Sequence, residues 1–250
     1  MTADKKPQVL FLWLLLVVAG GLGLSQSAYF TVQAVHVAGL RQLKREEVLS
    51  VAGISLPANV FALNPRVIQA RLAEYPPVAK ARVVRRFPAE LRIELVEREA
   101  VGALPYGEHF LLFDGAGVPF AIRQASGARS LPKVTGCRLT PVRLGKPARG
   151  EDLRWVAAVL QSLPRPLYQR LSQVEVGRGL TLTLVTEDGV RALLGSREQI
   201  ERKLGLLQSI LAEAETNGWL VREIDVRNPE RPFLRQGGEN AGESRGESGR

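Results

Sequence analysis

Apolar residues recur at every second position in two neighbouring stretches of the chain. Leu91, Ile93 and Leu95 alternate with Arg92 and Glu94, and upstream Ala79, Ala81 and Val83 alternate with Lys80 and Arg82. A period of two is that of a strand with one buried face. Residues 87–90 separate the two arms and include Pro88, whose ring fixes φ, so the spacing predicts an antiparallel hairpin. Lys80, Arg82, Arg86 and Arg92 then share the face turned away from the core. That face reads first as a solvated surface with cross-strand charge pairs, and second as a candidate docking face.

The same reading extends in both directions. "VQAVHVAGL" predicts a strand with Val35 and Val37 on one face and Gly39 at its end. A helix is expected from about Lys44 to Ala52, closed by Gly53, with no Ser, Thr, Asp or Asn to cap its start. Asn64 followed by Pro65 opens a second helix running to about Glu74, a capping residue followed by proline at the first helical position. The order is strand, helix, helix, strand, strand. Further along, strand pairs are expected around Asp114–Gly115 and Asp188–Gly189. A helix is expected over Glu151–Leu163, with Leu153, Val156, Ala157 and Leu160 on one face. Another is expected from Ser196 to about Glu215, opened by Ser196 and Gln199 in capping-box spacing, with Ile200, Leu204, Leu207 and Leu211 on one side. "WLVREIDVRN" supplies a last long strand, continued to about Leu234. The expected class is α+β.

At the N-terminus the pattern changes from alternation to a continuous apolar run, Val9–Leu24, preceded by Lys5 and Lys6; the next charged residue is Arg41. This predicts a single membrane-spanning helix with a cytoplasmic head of residues 1–8. Ser25, Gln26 and Ser27 offer small residues where a signal peptidase would cut, so a cleaved signal peptide stays open as the second reading. Residues up to Tyr29 lengthen the run toward the far interface and favour the retained anchor, 9–29. Either way the rest of the chain is placed outside the cytoplasm. At the other end, residues 236–250 lack any apolar residue larger than Ala and are expected to be disordered.

Composition narrows the function classes. The 250 residues carry a formal charge of +9, with 45% hydrophobic and 24% charged residues, as a globular protein with anionic partners would. Export argues against nucleic acid, and no aromatic residues interleave with the basic ones to stack bases. Cys137 is the only cysteine, so there is no intrachain disulfide and no zinc motif. His36 and His109 have no nucleophile at a recognised spacing. Glu94, Glu97 and Glu99 have arginine neighbours rather than each other. Gly177 and Gly179 flank Arg178 without the remaining residues of a phosphate loop. No catalytic residue, cofactor, metal or small-molecule substrate is indicated, and the expectation is a non-enzymatic interaction protein.

The stretches "VHVAGL", "AGI", "NVFALN" and "FPAELRIELVERE" together resemble the POTRA module of the FtsQ/DivIB bacterial cell-division family. "LLFDGAGVPF", "EDGVRALLG" and "IDVRNPERPFLR" resemble successive landmarks of that family's β domain. The resemblance covers about Phe30 to Arg235. It implies a βααββ POTRA module at 30–99, then a mixed β domain with two helices at 100–235. It further implies a scaffold in the cell membrane at the septum that recruits and regulates other division proteins. These are the FtsB and FtsL types, then FtsW and the septal transpeptidase, with a link to septal peptidoglycan synthesis. A POTRA-type component of protein secretion or envelope assembly is the alternative. The implied partner site is the C-terminal strand edge, Ile224, Asp225, Val226, Arg227, Phe233 and Leu234, with Arg178 as a further candidate. An exposed edge offers backbone hydrogen bonds to an added strand.

Overall fold

The computed structural model describes residues 11, 13–19, 27–138, 142–148 and 151–237. It divides into two units, Met1–Arg98 and Glu99–Arg250.

In the first unit β2 (Val35–Ala38), β5 (Glu90–Glu97) and β4 (Val78–Arg86) form a sheet in that order, β2 parallel to β5 and β4 antiparallel to it. The predicted alternation holds on β5, where Leu91, Ile93 and Leu95 are buried. On β4 a bulge between Val78 and Lys80 shifts the phase, so Val78 is buried and Ala79 is exposed. The parallel join of β2 to β5 needs a crossover, supplied by α1 (Arg45–Ala52) and α2 (Pro65–Glu74). Lys44 precedes α1 without a side-chain cap, whereas Asn64 accepts a hydrogen bond from the Arg66 N–H at 3.1 Å, as the Asn-Pro pair predicts. Gly39 is required where it stands: its φ is +88°, and a Cβ there would lie 1.9 Å from the Leu95 carbonyl oxygen. Val35, Val48, Ala52, Ile68 and Leu72 close one core against the sheet. A short pair, β1 (Thr31–Val32) with β3 (Ala58–Asn59), lies beside it.

The turn before α1 is held by a carboxylate. Glu97 accepts hydrogen bonds from the backbone N–H groups of Arg41 (2.7 Å), Gln42 (2.9 Å) and Leu43 (3.2 Å). Burial pushes this carboxyl upward, but the three amides together outweigh it and hold its pKa below the usual range. Glu97 is thus tied to the backbone of this turn, with the charge of Arg41 acting in the same direction.

Among the described residues the second unit forms a nine-stranded sheet in the order Phe233–Gln236 (β14), Val221–Asp225 (β13), Arg191–Gly195 (β12), Leu182–Thr186 (β11), Leu171–Val176 (β10), Lys133–Thr135 (β9), Gly102–Tyr106 (β6), His109–Phe113 (β7) and Pro119–Arg123 (β8). β6 (Gly102–Tyr106), β7 (His109–Phe113) and β8 (Pro119–Arg123) make one antiparallel meander, and β10 (Leu171–Val176), β11 (Leu182–Thr186) and β12 (Arg191–Gly195) make another. Three residues of β9 (Lys133–Thr135) join the meanders by pairing parallel to both. The two expected turns are present: Asp114 accepts from the N–H groups of Ala116 and Val118, and Thr186 Oγ1 accepts from the N–H of Val190. α3 (Asp152–Ser162) buries Leu153, Val156, Ala157 and Leu160, and Val159 with them. A short α4 (Arg165–Gln169) follows. α5 (Ile200–Asn217) buries Leu204, Leu207 and Leu211 as patterned and makes the crossover to β13 (Val221–Asp225), which runs parallel to β12.

Three expectations are corrected here. The Ser196–Gln199 capping box does not form: Gln199 has a φ of +54° with no side-chain cap, and α5 begins at Ile200. The buried Lys203 instead closes that loop, its Nζ donating to the Ser196 carbonyl at 3.0 Å. The final strand is not continuous to Leu234. Asn228 Oδ1 accepts from the Glu230 N–H, and two prolines, Pro229 and Pro232, interrupt the ladder, so the chain turns and returns as β14 (Phe233–Gln236). Order also extends past residue 235, since the Gly237 N–H donates to the Leu220 carbonyl at 2.6 Å.

Residues 11 and 13–19 are helical, and among the described residues no helix is long and apolar enough to cross a membrane. The expected head at 1–8, much of the Val9–Leu24 run, and the tail from 238 onward lie outside the described residues.

Candidate functional site

The C-terminal corner of the second unit collects most of the predicted partner residues. β13 lies between β12 and β14, so its backbone is paired on both sides, and among the described residues the edge of the sheet belongs to β14. Ile224 and Val226 are fully buried beneath the sheet and anchor the corner rather than offering contact surface. Pairing across the hairpin sets Asp225 opposite Phe233 and Ile224 opposite Leu234. Phe233 is 59% exposed and Leu234 partly so.

Arg227 already has a partner. Arg227 lies in the bend that follows β13 and folds back on Asp225: its backbone N–H donates to Oδ1 at 3.0 Å, its Nη2 lies 2.6 Å from Oδ2, and its Nε lies 3.0 Å from both carboxylate oxygens. The bonds from Arg227 hold the Asp225 carboxyl below the usual range, against the opposing effect of burial, and the same pairing raises the guanidinium. The Arg227 side chain remains 63% exposed, so it presents charge outward while its stem is fixed. Gly195 makes room for that stem: its φ is +67°, and a Cβ there would fall 2.9 Å from Arg227 Cγ. Arg202 of α5 pairs with Glu230 at 2.6 Å and pins the turn. Arg231 and Arg235 are exposed in the same hairpin and add positive charge to it.

Arg178 sits in the turn between β10 and β11, at the same end of the strands as Arg227 but with β12 standing between β11 and β13. It lines a polar hollow of about 330 Å³ with Gly136, Arg138 and Asp152. The neighbouring Cys137 is largely buried, and burial, with Asp152 adding to it, pushes its thiol up to about 12.

An apolar hollow at the far end of the same hairpin was not foreseen. Trp219 and Leu220, 40% and 75% exposed, precede β13 and line a cavity of about 510 Å³ with Leu211, Ala214 and Gly237. Arg170 closes its rim by pairing with Glu215 and with Asp188 at 3.2 Å. The signal available was an aromatic–aliphatic pair directly after Gly218, whose left-handed φ of +66° ends α5. Read as part of a long strand, the pair lost that meaning.

The candidate face of the first unit belongs to a different unit and is described by itself. Lys80, Arg82 and Arg86 are exposed, and Arg92, whose Nε lies 3.2 Å from Glu94 Oε1, is half exposed. Glu94 lies directly across from Arg82. The face is solvated as the alternation predicts, and the ion pair between Arg92 and Glu94 runs along β5 instead of across the hairpin. Among the described residues of either unit, no group of three or more His, Cys, Asp or Glu is placed to hold a metal ion.

Residues 30–98 match the family model "POTRA domain, FtsQ-type", and residues 103–227 match "Cell division protein FtsQ/DivIB, C-terminal", half of the chain on its own. The chain belongs to the FtsQ/DivIB family of cell-division proteins. FtsQ/DivIB proteins are non-enzymatic cell-division scaffolds. Among the FtsQ relatives, the Cell division protein FtsQ of Mycobacterium leprae is 29% identical over 222 residues, covering 86% of this chain and 60% of its own. That of Myxococcus fulvus is 29% identical over 224 residues, covering 87% and 78%. That of Mycolicibacterium smegmatis is 28% identical over 228 residues, covering 90% and 64%. The chain therefore spans less than two thirds of the mycobacterial FtsQ proteins that it matches. A solved structure of the major extracytoplasmic domain of the trans isomer of DivIB from Geobacillus stearothermophilus aligns with 48% of this chain and 97% of its own, at 15% identity and a TM-score of 0.34.

Proposed function

We propose that this FtsQ/DivIB chain is a scaffold tethered in the cell membrane by Val9–Leu24, with residues 1–8 in the cytoplasm and the two units outside it. At the septum it captures a coiled-coil partner of the FtsB type, and with it an FtsL-type protein, on the edge of β14. FtsW and the septal transpeptidase stand further along the same assembly, which ties the chain to septal peptidoglycan synthesis. The observation that supports this reading best is the corner itself, a sheet edge left open among the described residues beside an exposed aromatic ring and an arginine fixed on Asp225. Strand addition supplies backbone hydrogen bonds along β14. Phe233 and Leu234 supply an apolar contact, and the basic surroundings favour a partner strand carrying acidic residues. The four residues of β14 limit what backbone pairing alone can contribute, so the side chains decide the partner.

The test is depletion in the native bacterium, followed by complementation. Filamentation that full-length protein rescues, and that a chain ending at Pro232 does not, is the expected result. Normal septation on depletion removes the division role. Rescue by the shortened chain, exported at normal level, moves the partner site away from β14.

A further inference from the structure

A ladder of aromatic rings runs along one end of the first unit. Tyr29 meets Phe30 edge-on at 5.4 Å between centroids, Phe30 meets Phe61 at 5.1 Å, and Phe61 meets Phe87 at 5.8 Å. Three different parts of the chain supply these rings: the short 3-10 turn Ala28–Phe30, the loop between β3 and α2, and the bend of the β4–β5 hairpin. The backbone fixes their meeting. β1 pairs with β3, the Val60 N–H donates to the Phe30 carbonyl at 2.8 Å, and Asn59 Oδ1 accepts from the Phe61 N–H at 2.9 Å.

The ladder is exposed on its outer side. Tyr29 is 69%, Phe61 45% and Phe87 64% accessible, a cost that a soluble surface has no reason to carry in one place. Arg85 lies over the Phe61 ring at 6.0 Å from its centroid and is held there by a hydrogen bond from Nη2 to the Leu63 carbonyl; Arg86 beside it is exposed. Aromatic rings rimmed by guanidinium groups are the side-chain set that favours a bilayer interface, the rings at the level of the headgroups and the cations against lipid phosphate.

The chain's own course selects the occupant. The apolar run Val9–Leu24 ends three residues before Ser27, where the described chain resumes, and Tyr29 follows two residues later. A helix leaving the hydrocarbon there delivers the ladder at the depth where its rings are stable. We propose that Tyr29, Phe61 and Phe87, with Arg85 and Arg86, form a second contact with the membrane. It lays this end of the first unit on the anionic lipid surface instead of leaving it hanging from a free linker. The contact rests on the anchor reading above, and it restricts the first unit to a narrow range of orientations over the bilayer. Lys80 and Arg82, toward the other end of β4 from Phe87, are then kept clear of the lipid.

Nitroxide depth measurements on the full chain test it. In a Cys137→Ser background, a label at Ala62→Cys leaves every ring of the ladder intact, and a label at Ala79→Cys, exposed near the opposite end of β4, serves as the water reference. The chain is reconstituted in vesicles of phosphatidylethanolamine and phosphatidylglycerol and floated after carbonate washing. The expected result is co-flotation, with the ratio of oxygen to nickel-complex collisions severalfold higher at Ala62 than at Ala79. That difference should disappear when Tyr29, Phe61 and Phe87 are all changed to Ser, and shrink in vesicles of phosphatidylcholine alone. Co-flotation with equal ratios at the two positions overturns the lipid contact and leaves the anchor standing, the ladder then being a surface for protein. Failure to float overturns the anchor and the contact with it.

Discussion

The two sheets each end in a strand that could accept another, and they treat that edge differently. β4 closes the sheet of the first unit with nine residues, long enough to be a hazard, and the fold blunts it. Lys80, Arg82, Arg85 and Arg86 charge it, a bulge distorts its start, and Gln69 of α2 reaches over so that its Oε1 accepts from the Val83 N–H at 3.2 Å. β14 closes the sheet of the second unit with four residues, is charged at Arg235, and leaves Phe233 open to solvent. On the proposed reading, the contrast between a long guarded edge and a short open one marks where pairing with another chain is tolerated, the shortness of β14 protecting it from indiscriminate addition.

The strongest way to break this comparison is to remove β14. A chain ending at Pro232 is expected to lose partner capture entirely in pull-downs from membranes while the first unit keeps its circular dichroism and protease resistance. Retained capture equalises the two edges. Next, Arg227→Glu turns an outward cation into an anion beside Asp225. Because the guanidinium is mostly exposed, the expected effect is slower association with a flatter dependence on salt, and little change in dissociation, measured by surface-bound kinetics at several ionic strengths. A dissociation rate that changes instead would place Arg227 inside the contact.

A third prediction concerns the first unit alone. Glu97→Gln weakens three amide hydrogen bonds and should cost about 1 kcal/mol, allowing for solvent screening of a partly exposed group. The folded carboxyl sits below its unfolded value, so its contribution is full above the usual carboxylate pKa and fades as pH falls through the folded value. Wild type and Glu97→Gln should therefore differ in denaturant midpoint at neutral pH and converge in acid. A constant gap across that range would mean that the carboxylate charge does not hold the turn. The smallest effect is expected from Gln69→Ala, about 0.5 kcal/mol from one half-exposed hydrogen bond. Its value lies in sharpening the comparison, because self-association rising on that substitution, read by sedimentation, would show that β4 needs its guard.

The first unit was legible where its structure is local. Leu91, Ile93 and Leu95 alternate over a core, Asn64 and Pro65 sit at a helix start, and Gly53 ends a helix. Each is written within a few residues, and each stands as read. The second unit was legible in pieces. β10 was missed because a bulge between Leu171 and Gln173 breaks its alternation, burying Leu171, Val174 and Val176. β9 was missed because three residues carry no period. The strand order was out of reach because the joins β6–β9, β9–β10 and β12–β13 are parallel and unite segments far apart in the chain. In the candidate site, the segment 224–234 was singled out, but its division into a paired β13 and an open β14 depends on Pro229, Pro232 and the Asn228 turn. The Asp225–Arg227 pair was out of reach of the strand period, because Arg227 lies past the end of β13 in a bend that turns its N–H and guanidinium onto the Asp225 carboxylate.

β9 has a consequence for how the second unit comes apart. It stitches two meanders through three residues, with three register pairs toward β10 and a single one, Ala103 with Lys133, toward β6. Backbone pairing is sparse along that line, so amide exchange there is expected to begin before the rest of the sheet opens, even though Leu104, Leu111 and Phe113 share one core with β10–β13. The corner around β14 lies at the opposite edge of the sheet from β8. Breathing along the β9 seam therefore leaves that corner intact, and the unit can yield on one side without letting go on the other.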